Sequence, residues 1–411
     1  MTGVTIDHMV SLVALITVLI VAMGAFGQII TAAISYQQNH QVSMKAAELA
    51  NTLLLSPGVP VGWGQGNSTP SAFGLQNGET GGYSLDAFSI SRLLSTQPLV
   101  YYSKTGLWYS NNSLGGGGGA LLVPVTNVVN YTAAARLLGV DGSYAFRLTV
   151  TPTLNVSITE LNLNPLRIMV EVTGLRGAVR DATLNYFLYQ AIPGGGQYPS
   201  LRTFSGTGQT DSAGSATLDF PLVDGSQFAY SAIVYARMGG LSGVGYRVRD
   251  TLGNNKVIPF VEDFKNRVVL LAHSWDVHTF SPPVSALHFN STFFSLTQDF
   301  QLREIPMIDS GGFVKGGLVN YGENYQFVRA QIPTQSAGVL IISYRWGNSF
   351  GIVAMPWGIS VLGFSASFGG DPSPADWVAV ELRQVTINRL SYQVKVGVWK
   401  TTRYQPPRYS P

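Results

Sequence analysis

From Met9 to Ile34 the chain reads MVSLVALITVLIVAMGAFGQIITAAI, with no charged side chain and only Gln28 strongly polar. That is longer than the roughly 20 residues needed to cross a bilayer as a helix. Leu, Ala, Met and Ile dominate, and the only glycines are Gly24 and Gly27, so the run reads as a helix that is apolar on every side. From Gln37 the residues turn polar, yet the helical period persists. Val42, Ala46, Leu49, Ala50, Leu53 and Leu54 fall on one stripe, with Gln41, Ser43, Lys45, Glu48, Asn51 and Thr52 around it. Pro57-Gly58 then stops the helix. The pattern predicts one long N-terminal helix over residues 1–56. Its first half suits lipid or like helices, and its second half suits the surface of a folded body.

Beyond the helix the period changes to two, which marks strands. Phe146, Leu148 and Val150 alternate, as do Leu154, Val156 and Ile158. Ile168, Val170 and Val172 follow, then Ala182, Leu184, Tyr186 and Leu188, then Leu218 and Phe220, then Tyr230–Ala236. Further strands are expected at Val268–Leu271, Phe289–Leu296, Phe313–Val319 and Val339–Trp346. Val378, Val380 and Leu382 alternate in one run and Tyr392, Val394, Val396 and Val398 in another, with a turn at Asn388-Arg389-Leu390 between them, the signature of an antiparallel hairpin. The uncharged stretch Phe350–Gly370 contains Pro356 and many Gly and Ser residues, so buried strands are expected there and not a second span. Ser84–Thr96 is expected to form a short helix, and Gly206-Thr207-Gly208 a β-turn.

The fold class is therefore mainly β with one long N-terminal α-helix, followed by two or three β-sandwich domains. The expected divisions are the helix at 1–56, a Gly/Pro-rich connector and first β region at 57–160, a sandwich at 161–250 and a C-terminal β domain at 251–411. In the sandwich, Gly177 to Ala182, Thr210-Asp211 with Gly214, and Tyr230 to Ala236 come in an order that resembles the Ig-like repeats of prokaryotic surface proteins.

Composition changes the picture in three ways. Charged residues make up 11% of the chain, against a usual quarter, and neutral polar groups take their place, as on secreted and cell-surface proteins. The net charge is +3, and no Lys/Arg cluster exists to track nucleic acid. The nearest group, Lys400, Arg403 and Arg408, reads as an exposed tail. Cysteine is absent, which excludes disulfides, thiolate zinc sites and cysteine nucleophiles.

Five N-x-S/T sequons, at Asn67, Asn111, Asn130, Asn155 and Asn290, all follow the apolar run and fit glycosylation of an outside body. The eight residues before the run, MTGVTIDH, hold no Lys or Arg. The run is also too long for a secretory signal, so it is expected to stay attached. The first basic residue is Lys45, so orientation rests on composition and sequons.

Candidate chemistry is sparse. In His273-Ser274-Trp275-Asp276-Val277-His278, a strand would place Asp276 and His278 on one face and His273 on the other, with His288 further on. No metal site, cofactor site or catalytic residue is assigned, and the chain is not expected to be an enzyme. Gly115 to Gly119 lacks the Lys-Ser/Thr of a phosphate loop and reads as a turn. Trp63, Tyr83, Tyr101, Tyr102, Trp108 and Tyr109 either fill cores and turns or form a stacking platform for a sugar or polymer.

Gly3-Val4-Thr5-Ile6-Asp7-His8, the uncharged run to Ile34 and the amphipathic extension resemble the type IV pilin-like proteins, most closely those of archaea. Ala46–Gly64 is similar to the helix end of archaeal proteins with such helices. The resemblance implies cleavage between Gly3 and Val4 by a membrane peptidase, with the helix retained and bundled with like helices in a filament core. Here Met1-Thr2 precede Gly3, where the family carries Lys or Arg. Asp7 is fourth after the cut, where bacterial members carry Glu at the fifth position. These departures favour a minor or tip subunit, or a permanently anchored surface protein. The expected partners are the membrane through residues 9–34, like subunits through the helix, and a surface polymer or cell-envelope component. The expected location is the cell membrane, single-pass with an extracellular head, or an extracellular filament. The expected role is assembly or adhesion, and the alternative is a membrane-anchored receptor for glycan or polymer that forms no filaments.

Overall fold

The structure, a computed structural model, describes residues 2–93, 99–102, 105–113, 120–140, 142–251, 257–273, 287–319 and 327–401. One helix runs unbroken from Thr2 to Leu55, roughly 80 Å at 1.5 Å per residue. Val42, Ala46, Leu49, Ala50, Leu53 and Leu54 are its buried residues, the same stripe that the sequence marks. The carbonyl of Leu53 accepts from the Leu75 N–H at 2.8 Å, and that of Ser56 from Gln76 at 3.0 Å. The connector thus satisfies the carbonyls that a helix end leaves open. Gly58 makes the exit turn at φ 73°, where a Cβ would lie 2.7 Å from the Ala72 carbonyl.

The buried stripe packs on a five-stranded sheet. Its order is Ser84–Leu85, Ala379–Ile387, Leu390–Lys400, Tyr144–Pro152 and Ala366–Gly369. The expected C-terminal hairpin is present, with Ile387 opposite Leu390 across the Asn388-Arg389 turn. Phe146, Leu148, Val150, Val394, Val396 and Val398 line its helix-facing side. Alternate residues of one strand, Val380, Leu382, Gln384 and Thr386, are exposed.

Residues 155–249 form a sandwich around their own core. One sheet orders Ser215–Phe220, Leu166–Gly174 and Asn155–Leu163. The other orders Pro199–Gln209, Thr183–Pro193, Tyr230–Met238 and Leu241–Arg249. Gly206 and Gly208, expected in a turn, lie inside the strand Pro199–Gln209. Gly206 is opposite Tyr186, and a Cβ there would meet the Tyr186 hydroxyl at 2.3 Å, so the glycine makes room for the ring.

A second sandwich joins a six-stranded sheet, from Phe327–Gln331 to Leu99–Tyr102, to a five-stranded one built on Leu287–Leu296, Gly338–Trp346 and Ser349–Trp357. The uncharged stretch after Phe350 is a buried strand to Trp357, a 3-10 turn at Ile359–Leu362 and the strand Ala366–Gly369. Strands from 57–160 and from 251–411 share two sheets. Tyr144–Pro152 pairs with Leu390–Lys400, and Leu122 pairs with Phe260 in parallel. The expected short helix is Ala87–Ser91, with Asp86 as its N-cap.

Candidate functional site

The first candidate is the bare half of the helix. Every described side chain from His8 to Gln38 is exposed, and the most apolar window within His8–Leu55 has no buried residue and a mean hydropathy of 2.6. Two threonine hydroxyls on this half are turned to the backbone. The Thr17 hydroxyl donates to the Val13 carbonyl and that of Thr31 to Gly27, each at 2.8 Å. Gly24 and Gly27 have open space around them, so neither is needed for a contact within the chain. The helix is a candidate membrane span by length and composition. The residues on either side of the expected cut, Gly3 and Val4, lie in its first turn.

The sequons fall in different settings. Asn155 is exposed at the start of a sheet-edge strand. Asn130 is exposed and caps the helix Tyr131–Leu137, accepting from Ala133 N–H at 2.8 Å. The Asn67 amide donates to the Asp263 carboxylate at 3.3 Å. Asn290 is half-buried on a strand flanked by Gly316–Val319 and Gly338–Trp346. Asn111 belongs to the strand Leu107–Ser113, and its side chain lies outside the described residues.

The six aromatics divide evenly. Trp63, Tyr102 and Tyr109 are core residues, with the Trp63 indole donating to the Gly74 carbonyl at 2.8 Å. Tyr102 stacks on Phe260 at 4.9 Å, and Tyr109 meets the same ring edge-on at 4.7 Å. Tyr83, Tyr101 and Trp108 are exposed. Tyr101 and Trp108 are cross-strand partners with ring centroids 5.2 Å apart, on the edge pair of the six-stranded sheet.

Asp276, His278, the five-glycine run, Arg403 and Arg408 lie outside the described residues. His288 is half-buried, with its ring edge-on to Tyr198 at 5.4 Å. Burial, then the Arg345 charge, lowers its pKa. Among the described residues no three His, Asp or Glu gather as metal ligands do.

The sequence reading missed a cavity of about 550 Å³ where four turns meet. The Gly239-Gly240 hairpin and the Asp181 turn come from the sandwich, the turn ending at Phe300 from the second sandwich, and the Asn388-Arg389 hairpin from the C-terminal sheet. Asp181, Phe300, Asn388 and Arg389 all have positive φ, as four of five such non-glycine residues among those described. Left-handed backbone of this kind gathers where turns are tight and at binding sites. Cross-bonds fix the turns together. The Ser242 hydroxyl donates to the Arg389 carbonyl at 2.7 Å, and the Asn185 amide to that of Asp299 at 3.3 Å.

Arg237 lies over the Phe300 ring at 5.2 Å and donates to Asn185 Oδ1 at 3.4 Å. Its Nε is buried with no acceptor among the described residues. The Asp181 carboxylate is engaged by Arg180 at 3.0 Å. The only sequence signals for this cavity were the turn residues themselves, because the strands that bring their tips together are distant in the chain.

Comparison with protein-family models gives no match, and comparison with curated proteins gives none. Among solved structures, the chain has a likeness to E. coli alpha-2-macroglobulin in its native conformation at 12% identity and a TM-score of 0.22, too low to carry an argument. That likeness covers 68% of this chain and 19% of that one, so the chain spans about a fifth of its length.

Proposed function

We propose that this is a structural surface protein whose apolar half-helix sits in lipid or among like helices, and whose β head is held outside the cell. The observation that carries the reading is the division of one unbroken helix. Its first half contacts nothing in the head, and its second half is core to the head. Apolar surface on this scale is stable only when hidden from water. The resemblance of residues 3–34 to type IV pilin-like proteins of archaea favours filament assembly, with the sandwich at 155–249 as an Ig-like element of the displayed surface. Asn130 and Asn155, both exposed, are sequons open to a glycan on such a head. The proposed role is assembly or adhesion.

A second reading is a permanently anchored binding protein, favoured by the exposed Tyr101–Trp108 pair. Rings of this kind stack on sugar faces.

The mass of the N-terminal peptide from native membranes separates the two. A mature chain beginning at Val4 means that a pilin-type peptidase has acted and supports assembly. A chain beginning at Met1 removes the filament reading and leaves the anchor. A start beyond Ile34 overturns both.

A further inference from the structure

We propose that the four-turn cavity binds the carboxylate of an acidic sugar, such as a uronic acid unit in a surface polysaccharide. The inference does not depend on whether the helix sits in lipid or in a filament. Arg237 and Arg389 both line the cavity, and neither has a carboxylate partner among the described residues. Arg247 and Arg249 of the same sandwich, by contrast, pair with Glu160 at 3.2 Å. Arg237 is held in place over the Phe300 ring and by its bond to Asn185 Oδ1, so its charge is fixed at the cavity wall. A planar guanidinium suits a carboxylate, which it meets with two parallel bonds.

The remaining lining narrows the class. A volume of about 550 Å³ is far larger than an inorganic anion and lies within the roughly 300–1,000 Å³ of small-molecule sites. Thr183 and Gln298 bring neutral hydroxyl and amide groups, which match a ligand dense in hydroxyls. The Phe300 face is covered by Arg237, so no bare ring is offered to an aromatic or lipid ligand. The cavity opens to solvent, so its occupant can be one unit of a longer chain. Asp181 also lines it and pairs with Arg180 at 3.0 Å, on an exposed rim where solvent screens its charge.

The test uses the full chain in detergent, titrated calorimetrically with trigalacturonate, with neutral maltotriose and with an aspartate tripeptide. Trigalacturonate is expected to bind, more weakly as salt rises, while maltotriose gives no heat. Arg389→Asn keeps a residue tolerant of positive φ in the hairpin, and loss of its charge-assisted bonds is expected to weaken binding about tenfold or more. Arg237→Gln is expected to do the same, and an unchanged melting temperature for Arg389→Asn shows that the fold is intact. No binding of trigalacturonate overturns the proposal, as does equal binding of maltotriose or binding that survives both substitutions. Equally tight binding of the aspartate tripeptide overturns the sugar assignment.

Discussion

Arg92 is the most demanding buried group in the head. It is 1% exposed, yet its guanidinium meets only carbonyls: Asn127 at 2.6 Å, Trp63 at 2.5 Å and Ser68 at 2.9 Å. It also lies 5.2 Å over the Trp63 ring. Burial lowers its pKa to about 10, so it stays charged at neutral pH. One side chain thereby ties the connector to the segment before the helix Tyr131–Leu137. Arg92→Met removes three charge-assisted bonds and strands the buried Asn127 carbonyl, and is expected to destabilise the head by about 3 kcal/mol. Arg92→Lys should recover little, because a point charge cannot span three acceptors. Urea unfolding followed by Trp fluorescence checks both.

Glu160 shows the opposite arrangement, a carboxylate with too many partners to lose. Tyr230 donates to it at 2.7 Å, and Arg247 and Arg249 pair with it. Burial pushes its pKa up, but the hydrogen bonds from Tyr230 and Arg247 and the two positive charges outweigh burial and leave it below the ordinary value. A lowered folded pKa adds stability that is present above the unfolded value and is lost as pH falls through the folded one. Melting temperatures followed from neutral into acid should therefore fall less steeply in Glu160→Gln than in the unaltered chain. That variant should also melt lower at neutral pH.

At the scale of elements, the helix is where sequence and structure agree most closely. Its two halves obey two patterns that need no tertiary knowledge: apolar on all sides, then apolar on one stripe. Leu49→Ala and Leu53→Ala remove fully buried side chains, and each is expected to lower head stability by about 2–4 kcal/mol. Leu19→Ala touches nothing in the head and should leave the head transition where it is. Thermal unfolding of the three variants makes the comparison.

The central strands were legible for the same reason, since Ile168, Val170 and Val172 alternate cleanly. The strand Leu241–Arg249 was not, because Gly243 and Gly245 erase its pattern. A Cβ on them would fall 2.4 Å from the Leu154 carbonyl and 2.3 Å from that of Val156. The glycines let this strand close against the neighbouring sheet, and close approach leaves no periodic mark. Phe73 and Leu75 were likewise hidden in a connector rich in Gly and Pro, yet both are buried. The four-turn cavity was the least legible feature, because its parts come from four separated stretches.

At the scale of the molecule, the inner half of the helix and the C-terminal hairpin pack together. The helix that opens the sequence lies on the hairpin that closes the described part of it, so the apolar half projects from the region where the C-terminal sheet anchors it. A pull on the helix is thus resisted by the central core, not by a loose linker. One helix thereby serves two environments, and that division organises the whole chain.

The most direct test exploits the absence of cysteine. Single-cysteine variants are placed at Leu12, Leu19, Phe26 and Ile30, and at Gln41, Glu48 and Thr52, and each is exposed to a membrane-impermeant maleimide in native cells. The account predicts that the first four are protected, by lipid or by like helices, and that the last three react readily. Equal labelling of both groups would contradict it, because the apolar half would then stand in water.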